Sequence, residues 1–284
     1  MRLSHLFFWG VSGGLALAAP AAQGGAFLFP EGHGQVIVTT TFADARKAYD
    51  AAGRLIETPP YRKFETKAYF EHGLLDWLNL VGEGSYMDFS GAAGPTDYLI
   101  LLTAQAKARL PLSLAAPPGP RYEGLGLGAI GARAKLLEYG SFVVSLEASL
   151  RGASPAARRF LDMRDPVQVD ARLLFGRSMD VFGLPAFVDA QIGRRSRGQN
   201  GDEIRADMTF GVRPFESVLL MAQSFSAFTP RAWVGTSVAA QKFQLSAVYD
   251  VTKSVAVQIG GVAALGGVNS PAERGIVGGL WWRY

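Results

Sequence analysis

From Gln35 to Tyr284 the chain repeats one pattern, with apolar residues at every second position and polar or charged residues between them. A two-residue period belongs to extended strands that show one face to an apolar medium and the other to a polar one. Phe64, Thr66, Ala68 and Phe70 oppose Glu65, Lys67, Tyr69 and Glu71, and Phe142 to Leu150 opposes Ser145, Glu147, Ser149 and Arg151. The same grammar holds for Ile130–Leu136, Val169–Phe175, Val188–Ile192, Ile204–Val212, Phe243–Val251 and Val255–Ile259. Gln35–Phe42 is rich in β-branched residues, as a strand prefers. These segments predict an all-β chain.

The polar face separates a barrel from a soluble sandwich. In a sandwich that face meets water and carries many Lys, Glu, Ser and Thr. Here it is sparse, and opposite charges sit close together: Glu65 with Lys67, Glu147 with Arg151, Asp170 with Arg172, Arg205 with Asp207. An enclosed lumen favours such pairing, because charges partly removed from water need partners. The final ten residues, Gly275 to Tyr284, point the same way. Ile276, Leu280, Trp282 and Tyr284 share one parity, and Gly279, Trp281 and Arg283 the other. A strand with its outer face in lipid and aromatics at the interface accounts for them. The stretch resembles the closing strand of bacterial outer-membrane barrels, and that resemblance implies an assembly signal carried by Gly279, Trp282 and Tyr284, read by the barrel assembly machinery.

Connections near 73–76, 138–141, 183–185, 214–217 and 252–254 are short. Those at 43–60, 89–124, 152–167, 196–202 and 229–240 read as longer polar loops. Alternation of short turns and long loops is the build of an outer-membrane barrel. The count predicts an antiparallel transmembrane β-barrel of about 12 strands with both termini periplasmic. One further segment, Tyr98 to Arg109, alternates as well as any strand. It leaves 14 strands open as an alternative, beside a structured loop.

The chain has 284 residues, 49% of them hydrophobic, with 34 Gly and no Cys, and its mean hydropathy is +0.14. That value suits a barrel in which every second residue faces lipid. Without Cys there is neither a disulfide framework nor a thiolate metal site. The formal net charge is +4, but Lys and Arg are dispersed, which argues against nucleic acid as a partner. Arg2, the apolar run Leu6–Leu17 and small residues from Ala16 to Gly25 form a leader, which predicts cleavage near 21–24. Residues 1–24 are therefore expected to be a signal peptide and 25–284 a single barrel domain.

The segment from Gly25 to Gln35 (GAFLFPEGHGQ), followed by a strand, resembles the opening of the outer-membrane barrels known as meta-pathway phenol-degradation-like proteins. Their second strand commonly runs into a Glu-Tyr-Gly-Leu-Thr-Asp turn; here it is Glu71-His72-Gly73-Leu74-Leu75-Asp76, departing at His72 and Leu75. Gly124–Leu150 and Phe187–Val212 extend the likeness. The resemblance implies a transporter-like outer-membrane barrel.

Motifs for other chemistry are weak. Gly126-Leu127-Gly128-Ala129-Ile130-Gly131 matches the dinucleotide fingerprint by letter, but follows a Pro-rich loop and leads into a strand. No cofactor is expected. After the leader, His33 and His72 are the only histidines, too few for a zinc site. Asp202-Glu203 is a poor calcium candidate, so no metal is expected. His72 with Ser85 is the one pairing that an outer-membrane hydrolase could use, an unfavoured alternative; the chain is expected not to be an enzyme.

The residues expected to line the lumen are Glu65, Lys67, Glu71, Arg133, Lys135, Glu147, Arg172, Asp189, Arg205, Asp207 and Arg213. The favoured function is a channel or transporter for small solutes, anionic or aromatic, with basic residues at 133, 135, 172, 205 and 213 favouring anions. The alternative is an accessory barrel linked to surface polysaccharide or matrix export. Expected partners are outer-membrane lipid and lipopolysaccharide.

Overall fold

A computed structural model describes residues 25–93, 119–161, 163–230 and 237–284. Among them run β1 (Gly34–Tyr49), β2 (Leu55–Leu75), β3 (Leu78–Gly91), β4 (Arg121–Tyr139), β5 (Phe142–Ala153) and β6 (Val167–Val181). They are followed by β7 (Leu184–Ser196), β8 (Glu203–Phe215), β9 (Val218–Thr229), β10 (Val238–Asp250) and β11 (Val255–Val268). The two-residue β12 (Ser270–Pro271) and the closing β13 (Arg274–Arg283) complete the set. Each long strand pairs antiparallel with its neighbours in the chain, and β1 pairs with both β2 and β13. The sheet is a closed barrel of twelve long strands, with β12 a short addition beside β1. Val36 lies opposite Trp282 on one side and Phe70 on the other, so the predicted seam between first and last strands is the one formed. Closure pairs every edge, which a sheet in hydrocarbon requires.

Alternation sends the predicted apolar parity outward. Leu146, Leu150, Ile192, Met208, Leu245, Ile259, Ile276 and Leu280 are exposed on the outer wall. Tyr139, Phe182, Phe215, Tyr249, Trp282 and Tyr284 are exposed beside the short turns, an aromatic girdle at one membrane interface. Short turns, Gly34 and Tyr284 share that end, which by the rule of short periplasmic turns faces the periplasm. The outer apolar band and its girdle place the chain in an outer membrane. At the β6–β7 turn, Phe182 and Gly183 have φ of 56° and 80°, the left-handed pair that a type I′ hairpin needs. The Gly183 N–H donates to Asp180 Oδ1 at 2.7 Å.

One connection differs from the sequence expectation. Residues 43–60 are not a long loop: β1 continues to Tyr49, β2 begins at Leu55, and 50–54 form the turn. The prolines misled because a ladder usually excludes them. Here the register passes from Ala45↔Tyr61 to Lys47↔Glu57, leaving Thr58, Pro59 and Pro60 in a bulge where no ladder N–H is asked of them. Tyr98–Arg109 lies outside the described residues. The segment 152–167 contains a single-turn helix, α1 (Pro155–Phe160), capped by Ser154.

The barrel is filled at its periplasmic end. Phe187, Leu219, Met221, Val248, Ala256 and Trp281 point inward and form one buried cluster. Ala26 packs with Val143 and Leu174 in another, against which Phe27 rests. The chain reaches that position by turning inward at the rim. Gly32 N–H donates to Gly73 O at 2.9 Å, and Gly73 N–H returns to His33 O at 2.9 Å. The segment ahead of β1 therefore lies inside the barrel, across its floor.

Candidate functional site: the lumen

Above this floor the barrel encloses a cavity of about 400 Å³. Its wall has two halves. From β2 through β8 it carries Lys67, Arg151, Arg172 and Arg205, together with Glu65, Glu83, Asp189 and Asp207. From β8 through β13 and into β1 it carries Thr209, Gln223, Gln244, Gln258, Thr39 and Thr41, with Phe225 and Trp281. The second half is laced by its own hydrogen bonds: Gln244 Nε2 donates to Gln223 Oε1 at 3.0 Å, and Trp281 Nε1 to Gln258 Oε1 at 3.0 Å.

Of the predicted lumen residues, Glu65, Lys67, Arg172, Asp189, Arg205 and Asp207 line this cavity. Glu71 and Arg133 do not; both lie beneath it, sealed from solvent. Arg133 Nη1 donates to Glu71 Oε1 at 2.8 Å and its Nη2 to Glu147 Oε2 at 2.7 Å. Tyr69 OH and Asn79 Nδ2 donate to the same Glu71 carboxylate, each at 2.8 Å. A buried carboxylate needs such a set, since one lone charge removed from water costs several kcal/mol. Lys135 pairs with Glu138 at 2.7 Å near the β4–β5 turn. Arg213 shares the Asp250 carboxylate with Arg283, at 2.8 and 2.9 Å, near the periplasmic rim.

Arg133, Lys135, Arg172, Arg205 and Arg213 thus each lie within 4.0 Å of a carboxylate, whereas Lys67 is in no such pair among the described residues. Arg172 holds Asp170 at 2.8 Å and approaches Asp207 at 3.5 Å, which Arg205 approaches at 3.6 Å. Sequence reasoning passed over Glu83, and Arg151 was noted only as a partner of Glu147, whereas it pairs with Glu83 across the wall. The Gln and Thr half was missed too, although its residues alternate with apolar ones in β9 to β11. Nearer the outer rim Glu273 collects Lys63 at 3.1 Å, the Tyr61 hydroxyl at 2.6 Å, and Lys242. Burial raises its pKa, but the two ammonium groups outweigh that and hold it at about 2.

The hydrolase pairing fails on geometry. The His72 ring stacks on Tyr284 at 5.9 Å on the outer face, while Ser85 Oγ turns the other way and donates to Leu127 O at 3.1 Å. Lys67, five positions before His72 in β2, is the residue opposite Ser85. Among the described residues no group of three His, Asp or Glu side chains converges as a metal site. Asp202 is bound by Arg194, and Glu203 by Arg195 and Arg197. The Gly126–Gly131 motif lies within β4.

No family model and no curated protein matches the sequence. Solved structures do match. An outer membrane channel from Pseudomonas putida F1, COG4313, superposes with a TM-score of 0.61 at 12% identity, covering 93% of this chain and 100% of that one. The P. putida toluene transporter TodX matches at 0.46 and 12% identity, over 90% and 91% of the two chains. The NanC porin matches at 0.49 and 7%, over 87% and 100%. At such identities the likeness concerns the fold, and only the first score is high enough to argue from. By fold, the chain is an outer-membrane β-barrel of twelve long strands.

Proposed function

We propose that this barrel is a channel for small solutes, and that those solutes are uncharged or carry both signs. The observation that carries the reading is the charge balance of the cavity, four cations (Lys67, Arg151, Arg172, Arg205) against four anions (Glu65, Glu83, Asp189, Asp207). A pore selects ions through unbalanced rings of charge, and here each sign cancels the other. The facing wall of amides, hydroxyls and two aromatic rings offers hydrogen bonds to a neutral polar solute and an apolar surface to its ring or chain. This replaces the anionic preference that the basic residues alone suggested. Planar-bilayer recordings across a salt gradient test it: conductance with a reversal potential near zero is expected, and strong selectivity for one ion sign rules the proposal out.

The buried floor favours a second reading, an accessory barrel with no through-path. It predicts no conductance even from a variant lacking residues 25–29. For either reading, Gly279, Trp282 and Tyr284 are proposed as the signal read by the barrel assembly machinery. Trp282 and Tyr284 lie on the outer face, their rings 5.0 Å apart, where a partner could reach them. Trp282→Ala with Tyr284 removed should lower the yield of folded protein in the outer membrane several-fold while in vitro refolding in detergent survives. Equal losses in both settings would mean the residues serve stability alone.

A further inference from the structure

Asp189 is a buried carboxylate inside the barrel whose main partner is the backbone at Ala26, in the segment ahead of β1. Ala26 N–H donates to Asp189 Oδ2 at 2.6 Å, Gln191 Nε2 steadies the other oxygen at 3.0 Å, and Ser145 Oγ donates to Ala26 O at 2.6 Å. Gly25 lies against the same carboxylate: a Cβ there would fall 2.7 Å from Asp189 Cγ. The residue that would carry the mature amino terminus therefore packs against this carboxylate. Gly25 also borders the cavity.

We infer that Asp189, Ser145 and Gln191 form a binding site for the mature amino terminus, and that leader removal between Gly24 and Gly25 makes the ligand. Ala22-Gln23-Gly24 presents the small-x-small spacing a leader peptidase reads. Hydrolysis consumes one water, leaves a carboxylate on the released leader, and leaves an amine on Gly25. An α-amine has a pKa of about 8, so it is protonated at neutral pH and supplies the cation Asp189 otherwise lacks. Processing thereby completes the floor of the barrel. The inference rests on the leader reading and needs no assumption about conduction.

The test uses protein purified from outer membranes. Intact mass should show a chain beginning at Gly25; a start at Ala22 or earlier overturns the inference. An N-hydroxysuccinimide ester at about pH 7 then labels α-amines. In the folded wild type labelling should be at least tenfold slower than in the detergent-denatured chain, and Asp189→Asn should recover most of that rate. Ser145→Ala, which spares the carboxylate, should recover part of it and covers the case in which Asp189→Asn fails to fold. Wild-type labelling as fast as in the denatured chain, or no change in either variant, overturns the inference. Protection of the amine in a barrel that never conducts would sink the channel reading and leave this one standing.

Discussion

Arg133 and Glu71 form an ion pair at 2.8 Å with both side chains 1% exposed, beneath the cavity they were expected to line. Glu71 has Arg133 as its cation, while Arg133 also holds Glu147. Arg133→Met should therefore destabilise the barrel by about 3–5 kcal/mol, since it leaves the buried Glu71 carboxylate without a counter-charge. Adding Glu71→Gln to Arg133→Met should recover part of that loss. Denaturant unfolding in detergent micelles, followed by Trp fluorescence, measures both.

Gly211 supports the floor by having no side chain. The Phe187 ring lies across it, and a Cβ at 211 would come 2.9 Å from Phe187 Cδ1, with other ring atoms nearer still. Phe187 is locked in the cluster with Leu219, Met221 and Trp281, so it cannot turn aside freely. Gly211→Ala should destabilise by about 1–3 kcal/mol as an overpacked core does. Gly84, whose Cβ would meet no atom within 4 Å, is the control, and Gly84→Ala should be near neutral in the same unfolding assay.

Parity carried most of the architecture, because within an unbulged strand of a closed barrel a residue's face depends only on whether its position is odd or even. That is why the outward set Ile276, Leu280 and Trp282 was legible, and why the seam of β1 with β13 was too. Depth along the strand is another matter. Nothing in the alternation distinguishes Glu71, under the floor, from Glu65, in the cavity, six residues away on the same face. The floor itself was illegible for the same reason: Gly25–Phe29 has no period, and its place is set by contacts with Asp189, Ser145 and Gly176 far along the chain. Pro59 and Pro60 read as loop since the bulge that accommodates them depends on the register against β1.

Glu273 ties the outer ends of β2, β10 and β13, and its folded pKa of about 2 lies below the ordinary value of about 4.3. Its lowered pKa contributes stability that is fully present above the ordinary value and lost as pH falls toward 2. Hydrogen exchange of the Val238–Lys242 and Arg274–Gly275 amides should accelerate, after correction for intrinsic rates, between about pH 4.5 and 2. Glu273→Gln should remove that pH dependence and leave exchange in the periplasmic half of the barrel unchanged.

The charge balance of the cavity can be tipped without touching the floor. Glu65 and Asp207 line the cavity and neither belongs to the Glu71–Arg133 network. Glu65→Gln with Asp207→Asn leaves four cations against two anions. By the logic of charged pore linings the variant should become anion-selective, and its reversal potential in a salt gradient should shift by tens of millivolts from the wild type. Arg172→Gln with Arg205→Gln should shift it the opposite way. If conduction persists and neither pair moves the potential, the ions do not pass this cavity, and the path for solute must be sought elsewhere in the barrel.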